Sequence, residues 1–412
     1  MTPTKMTALA TVMVVLSGTT AMAGCGITAG NVSILSNDFA ALNAVAAGAM
    51  ECAGDRVTVT ANQTTEHRDL QVAALTANPA QYTTAVVANS SIVPLLSAGL
   101  IRPLDDLVAE HGAGLKPTQL ITIDGQVMAI AFMANAQHLF YRSDILAEVG
   151  LDAPTTYEEV LAAAEAIRAA GIMEYPVALN TGAGWNLGEE FVNMYMGYGG
   201  EMFVPGTAQA SVNDEAGVAA LNMLKALTEY SNPDFLTFDS NGTSALWEAG
   251  EVALATLWGS RAGTLLDDEG STPEVVENTA LAGAVTTGGG TVPATTLWWD
   301  GFTISANISD EDAEATFIAM LNGISPEVIS ANSDAAVWLG EGYEPTPAAV
   351  GVFASATAGA VPYPMSPFMG LMHSAAGDNL AEFLQGSESA EQALADIEAA
   401  YTTAATAQGF LQ

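Results

Sequence analysis

NVSILSNDFAALNAVAAGAMECAGDRVTVTA, residues 31–61, contains a complete supersecondary unit. NVSILSN (31–37) is apolar and β-branched enough for a buried strand, and RVTVTA (56–61) alternates as strands do. Between them FAALNAVAAGAME (39–51) is rich in helix formers. Strand, helix and strand in succession form a βαβ unit, which places the two strands in parallel. The alternation continues with a helix from Glu66 to Thr76, a strand YTTAVVAN (82–89), and then SSIVPLLSAGL.

Further along, Asp124-Gly125 is a turn signal, and QVMAIAFMANAQHLFYR after it reads as two joined strands. Pro154 precedes a second series, opened by a helix over Thr156 to Ala170 with Thr156 and Glu159 as a capping box. YPVALN (175–180) and VALATLWG (252–259) are strands of that series. Ser309-Asp310-Glu311-Asp312 and Ser325-Pro326 start further helices, TTGGGT (286–291) is a loop, and Asp378 to Ala407 is largely helical. The fold class is α/β. In such sheets ligands collect beyond the C-terminal ends of strands. Those ends are Asn37-Asp38-Phe39, Thr64-Thr65-Glu66, Asn89-Ser90-Ser91, Asn135-Ala136-Gln137, Gly184-Trp185-Asn186 and Trp258-Gly259-Ser260-Arg261. Amides, hydroxyls and indoles dominate the set, as suits the binding of hydroxyl groups.

A chain of 412 residues can bury two ordinary cores. Its 9 Lys+Arg against 46 Asp+Glu leave a net charge of −37, so no basic surface for nucleic acid or anionic membrane can be assembled. Lys5, the apolar run Met6 to Leu16 and Ala21-Met22-Ala23 read as a secretory signal cleaved near Ala23, giving an exported, periplasmic protein. Cys25 and Cys52, both just beyond that site, most simply form one disulfide; the rival is a lipid anchor on Cys25, since Ala23-Gly24-Cys25 resembles the end of a lipobox.

Catalytic and metal patterns are missing from the sequence. There is no G-x-S-x-G, H-E-x-x-H, C-x-x-C or Walker A stretch, and His67, His111, His138 and His373 have no metal-ligand spacing. Asp239-Ser240-Asn241-Gly242 resembles part of a calcium loop but lacks the closing Glu, so it reads as a turn feeding a helix. Neither an enzyme activity nor a cofactor is expected.

SAGLIRPLDDLVAE (97–110), FYRSDILAEVGLDAPTTYEEVLAAAEAIRAAGI (140–172), LWEAGEVALATLWG (246–259), TTLWWDGFTISANISDEDAEATFIAML (295–321) and LAEFLQGSESAEQALADIEAAY (380–401) follow in that order. Together they resemble the extracellular solute-binding proteins of ABC transporters, in the sugar-binding group related to maltose-binding protein. The resemblance implies a two-lobed periplasmic-binding-protein clamshell, each lobe a mainly parallel sheet flanked by helices. Its lobes are discontinuous: 24–134 with 299–340, and 135–298 with 341–412. It also implies a monomer that binds a carbohydrate between the lobes and hands it to permease subunits in the inner membrane. Trp185, Trp258 and Phe368 are the implied stacking platforms, and Asp38, Glu66, Asn89, Asn135, Arg261 and Asp300 the polar partners. Of the paired indoles, Trp298 is expected to pack beneath the chain crossing, and Trp299, with Asp300, to face the cleft. Two other readings stay open: the same fold holding a betaine or amino acid derivative, and a secreted carbohydrate-active enzyme.

Overall fold

The computed structural model describes residues 25–412; the export signal read over residues 1–23 lies outside them. Twelve strands form two sheets. They are β1 (Gly30–Ser36), β2 (Val57–Gln63), β3 (Thr84–Ala88), β4 (Leu120–Ile123), β5 (Gln126–Asn135), β6 (Gln137–Arg142), β7 (Val177–Ala178), β8 (Leu254–Trp258), β9 (Thr279–Ala282), β10 (Thr296–Phe302), β11 (Val337–Trp338) and β12 (Val361–Pro362). The first sheet runs β11-β5-β10-β3-β1-β2, with β4 on β5 and β12 on β10; the second runs β7-β8-β6-β9.

The βαβ unit that opens the chain pairs in parallel from Gly30 opposite Val57 to Ser36 opposite Gln63. Its helix starts at Ala40, one residue later than the sequence suggests, because Phe39 keeps an extended backbone at φ −161°. Leu42, Val45, Ala46 and Ala49 form the buried stripe of that helix. It crosses the helix Asp310–Gly323 at a glycine contact, where a Cβ on Gly323 would collide with the Val45 carbonyl. At the β4–β5 hairpin, Asp124 (φ 50°) and Gly125 (φ 82°) supply the two positive φ values of a tight primed turn. The expected capping box at Thr156 forms only in part. Thr156 Oγ1 accepts from Glu159 N–H, but the Glu159 carboxylate turns back to the N–H and hydroxyl of Thr155, one residue upstream.

Both sheets are mixed rather than mainly parallel. β1 is parallel to β2 and β3, whereas β10 runs antiparallel to β3 and β5, and β6 antiparallel to β8 and β9. The cause is connectivity. The chain leaves the first sheet along β5, turns only at Ala136, enters the second along β6, and returns along β10 in the opposite sense. Trp298 on β10 faces Asn135 on β5, so the outgoing and returning segments pair side by side. After β11 the chain goes back to the second sheet, where the helix Val350–Thr357 packs on β6 at Gly351, against His138. Each sheet has its own core. Val32, Ile34, Ile130, Phe132, Phe302 and Phe317 fill one, and Leu179, Phe191, Leu224, Leu254, Phe383 and Ile397 the other.

Cys25 and Cys52 form a disulfide with a Cα–Cα distance of 5.1 Å, fastening the entry to β1 onto the end of the first helix. The lipid alternative would need the sulfur that this bond occupies. Closing a loop with a sequence separation of 27 restricts the unfolded chain enough to stabilise the fold by about 3–4 kcal/mol. Cys25→Ser/Cys52→Ser should therefore melt at lower temperature than the oxidised protein, and reductant should bring the two curves together. An oxidised protein whose melting does not respond to reductant would show that the bond carries no such load.

Candidate functional site

A cavity of about 160 Å³ lies between the sheets, lined from both sides. The first sheet contributes Asn37 and Phe39 after β1, Thr65 and Arg68 after β2, Ala88 at the end of β3, and Asp300 on β10. The second contributes Trp258, Ser260 and Arg261 at the end of β8. Trp185 and Asn186 open the helix Trp185–Gly197, and Asp239 to Asn241 lead into the helix Ser240–Glu248. Asn135 and Trp298, on the crossing strands, complete the lining. The position is the one expected for α/β sheets, outside the carboxyl ends of the strands.

Three indoles form its wall. Trp298 meets Trp185 and Trp258 edge to face, each at 5.7 Å, and Trp185 lies 6.4 Å from Trp258 at 25°. Gly184, at φ 91°, makes the sharp entry that places Trp185 first in its helix. One turn later, a Cβ on Gly188 would be 2.6 Å from the His373 carbonyl, so only glycine lets the two helices approach this closely. The His373 ring consequently stacks on Trp185 at 4.8 Å. Burial lowers the pKa of His373 to about 4, so the ring is neutral at pH 7. Its Nε2 faces the Trp185 carbonyl at 2.8 Å and must donate, which leaves Nδ1 to accept from the Tyr363 hydroxyl at 2.9 Å.

Beneath the indoles lies a buried carboxyl. Glu189 is fully buried, and its Oε1 accepts from Trp298 Nε1 at 3.0 Å and from the Thr296 hydroxyl at 2.9 Å, while Oε2 has no partner. Loss of hydration pushes its pKa up to about 8, despite those hydrogen bonds, and neighbouring Glu190 pushes the same way. Asp300, half-buried in the cavity wall, is raised by desolvation to about 7 against the pull of Arg68.

Of the ten ligand-binding residues expected from sequence, Asn135, Trp185, Trp258, Arg261 and Asp300 line the cavity. Two of these are already engaged. Asn135 bonds Ser260 through its Nδ2 at 3.0 Å and through its Oδ1 at 3.2 Å, and the Arg68 guanidinium lies 3.9 Å over the Trp185 ring.

The other five lie elsewhere. Trp299 does not face the cleft; it packs with Ile92, Leu95 and Met365, while Trp298 lines the cavity. Strand alternation explains the correction, since residues i and i+2 share a face and Asp300 must therefore accompany Trp298. Phe368 is not a platform, because it packs edge-on against Phe203 at 4.6 Å and near Phe410, in a separate apolar pocket. Asn89 is spent on the backbone of Trp299 and Leu297. Asp38 and Glu66 are exposed outside the cavity, Asp38 accepting from Asn43.

Arg68 and Asp239 to Asn241 are cavity residues that the sequence does not single out. The second group reads as a turn before a helix, which it is: Asp239 Oδ1 accepts from the N–H groups of Asn241 and Gly242. Only the fold brings that helix start to the cleft. Arg68 has one signal in the sequence, namely that the chain has only 9 Lys+Arg and this one falls just past a strand end.

A family model described as bacterial extracellular solute-binding protein matches residues 33–323. No curated protein matches the chain. Among solved structures, an ABC transporter solute-binding protein from Agrobacterium radiobacter in complex with ribitol is similar, with a TM-score of 0.79 and 20% identity over 91% of this chain and 98% of that one. Maltose-bound MalE3 of T. maritima gives 0.76 at 19% identity, covering 91% and 100%. An ABC transporter solute-binding protein from Agrobacterium vitis with bound D-mannitol gives 0.76 at 18%, covering 92% and 99%. The shared feature is the two-lobed α/β fold.

Glu189 predicts a pH dependence of stability. Its pKa rises from an ordinary 4.5 to about 8 on folding, so the folded state holds the proton more tightly. The resulting stabilisation is complete below the unfolded pKa and is lost as pH rises through about 8. Glu189→Gln keeps the acceptor for Trp298 and Thr296 without the charge. Its melting temperature should fall less than that of the wild type between pH 5 and pH 8, a window bounded by those two pKa values. Parallel curves for the two proteins would mean that Glu189 does not titrate in that range.

Proposed function

We propose, on the premise that the chain belongs to the family of bacterial extracellular solute-binding proteins, that it is the substrate-binding component of an ABC importer and takes a carbohydrate or polyol between its lobes. The lining of the cavity carries this reading. The indoles of Trp258 and Trp298 stand beside Asn37, Thr65, Asn186, Asn241 and Ser260. Sugars and polyols present apolar C–H surface rimmed by hydroxyls; flat aromatic area covers the first, and amides and hydroxyls satisfy the second. A volume of about 160 Å³ holds on the order of ten water-sized groups, which favours a single sugar unit or a short polyol over a long oligosaccharide. The ribitol, mannitol and maltose bound by the similar structures belong to the same chemical class.

In this reading the lobes are 24–134 with 299–340 and 135–298 with 341–412, and the protein works as a monomer in the periplasm after cleavage near Ala23. Ligand contacts both lobes only when they are closed, so binding shifts the population towards the closed form by its differential affinity. That form docks on the permease subunits, and ATPase chains elsewhere supply the energy. The betaine alternative is disfavoured by one contact: Arg68 already places a cation on Trp185.

A thermal-shift screen of the mature protein against monosaccharides, disaccharides and polyols tests the reading. A ligand at a hundred times its Kd should add about 2.7 kcal/mol to stability. Trp258→Ala should abolish the shift, measured from the variant's own ligand-free melting point, and Trp299→Ala should preserve it. The opposite pattern would move the site away from this cavity, and hydrolysis of a glycoside in the same screen would return the protein to the enzymes.

A further inference from the structure

The cavity contains two arginines that the rest of the protein leaves unpaired. Carboxylates are abundant, 46 Asp+Glu against 9 Lys+Arg, and of the other arginines all but the exposed Arg56 are provided for. Arg102 pairs with Asp310 at 2.8 Å, Arg142 with Asp144 at 2.5 Å, and Arg168 donates to the carbonyls of Glu174 and Glu229. Among the described residues, neither Arg68 nor Arg261 has a carboxylate at ion-pair distance or any hydrogen-bond acceptor, and the Nε of each is buried without a partner. A buried guanidinium N–H without an acceptor is costly, so an unmet partner is the natural reading.

The surroundings show how that partner would be taken. The Arg68 Cζ lies 3.9 Å from the Trp185 ring centre, and the Arg261 Cζ 5.2 Å from that of Phe39. A guanidinium carries its N–H donors in a planar fork, which can hold a planar carboxylate through two parallel hydrogen bonds. The nearest acids do not fill the role. Asp300 influences Arg68, and Asp239 and Asp38 influence Arg261, only through space; Asp239 already caps its helix through Oδ1. The two arginines also come from opposite sides of the cleft, Arg68 after β2 and Arg261 after β8. Closure therefore brings both charges to one ligand.

We infer that the solute is a carbohydrate bearing a carboxylate, an aldonic or uronic acid, whose anionic group is held by Arg68 and Arg261. The inference rests on the carbohydrate reading above and narrows it. Calorimetry on the mature protein should compare D-glucuronate, D-galacturonate and D-gluconate with D-glucose, D-galactose and D-glucitol, and with glycine betaine as a carboxylate lacking a sugar. The best sugar acid should bind at least about tenfold more tightly than its neutral counterpart, equivalent to about 1.4 kcal/mol. Arg68→Gln and Arg261→Gln should each erase that preference while leaving the ligand-free melting temperature unchanged or higher. A neutral sugar that binds as tightly as its acid overturns the inference and leaves the carbohydrate reading standing. Silence of every acid overturns it whatever the neutral sugars do. Binding of betaine alone would keep the carboxylate but remove the sugar, so the premise itself would fall.

Discussion

A buried polar network fixes the segments on which the whole cleft depends. The Thr296 hydroxyl lies 2.9 Å from Glu189 Oε1 and 2.8 Å from Asn193 Oδ1, Trp298 Nε1 donates to the same Glu189 oxygen, and Asn193 Nδ2 donates to Gln137. Thr296 and Trp298 lie on the strand that returns between the sheets, Gln137 begins the strand that leaves, and Glu189 and Asn193 project from a single helix. One helix face therefore ties both crossings together. In a water-poor interior such bonds are worth more than on the surface, and each unmade one costs more, so the arrangement has one good solution.

The aromatic wall follows from that constraint. With Trp298 held by its indole N–H, its ring can only stand edge-on to Trp185 and Trp258, and Tyr363 closes over it at 4.2 Å. Gly188 then lets the helix bearing Trp185 come close enough for His373 to stack beneath it. Close packing of this kind keeps the shape of the cavity wall fixed. Arg68, Arg261 and Asp300 add charge to this aromatic frame in the cavity lining.

The local units of the chain are largely legible in its residues. β-branched runs between alanine-rich segments mark the strands and helices, and the strand-end rule brings Trp185, Trp258, Asn135 and Arg261 onto one short list. Phe39, Thr65, Asn186 and Ser260 stand in the same strand-end stretches without being singled out. Sheet sense is not legible in the same way, because a strand's direction depends on which distant strands it pairs with, and β10 runs antiparallel to β3 and β5 but parallel to β12. The place of Phe368 is hidden for a related reason: a proline-rich loop ending in an aromatic ring looks the same whether it faces a cleft or the Phe203 and Phe410 rings.

The paired tryptophans separate what each level decides. By itself, the sequence determined that Trp298 and Trp299 must face opposite ways, because side chains on a strand alternate with a period of two; the same period puts Asp300 with Trp298, which the expectation of Trp299 and Asp300 together in the cleft overlooked. Which of the two faces would be the cleft was not written there. The carboxylate that captures the Trp298 indole, Glu189, is over a hundred positions away, and the bulge between Asp300 and Gly301 is set by pairing with β5. The same holds for Arg68 and Arg261: their number and scarcity are properties of the sequence, but their lack of a partner is a statement about distance. Only the packed chain, with both sheets facing one another, could decide that.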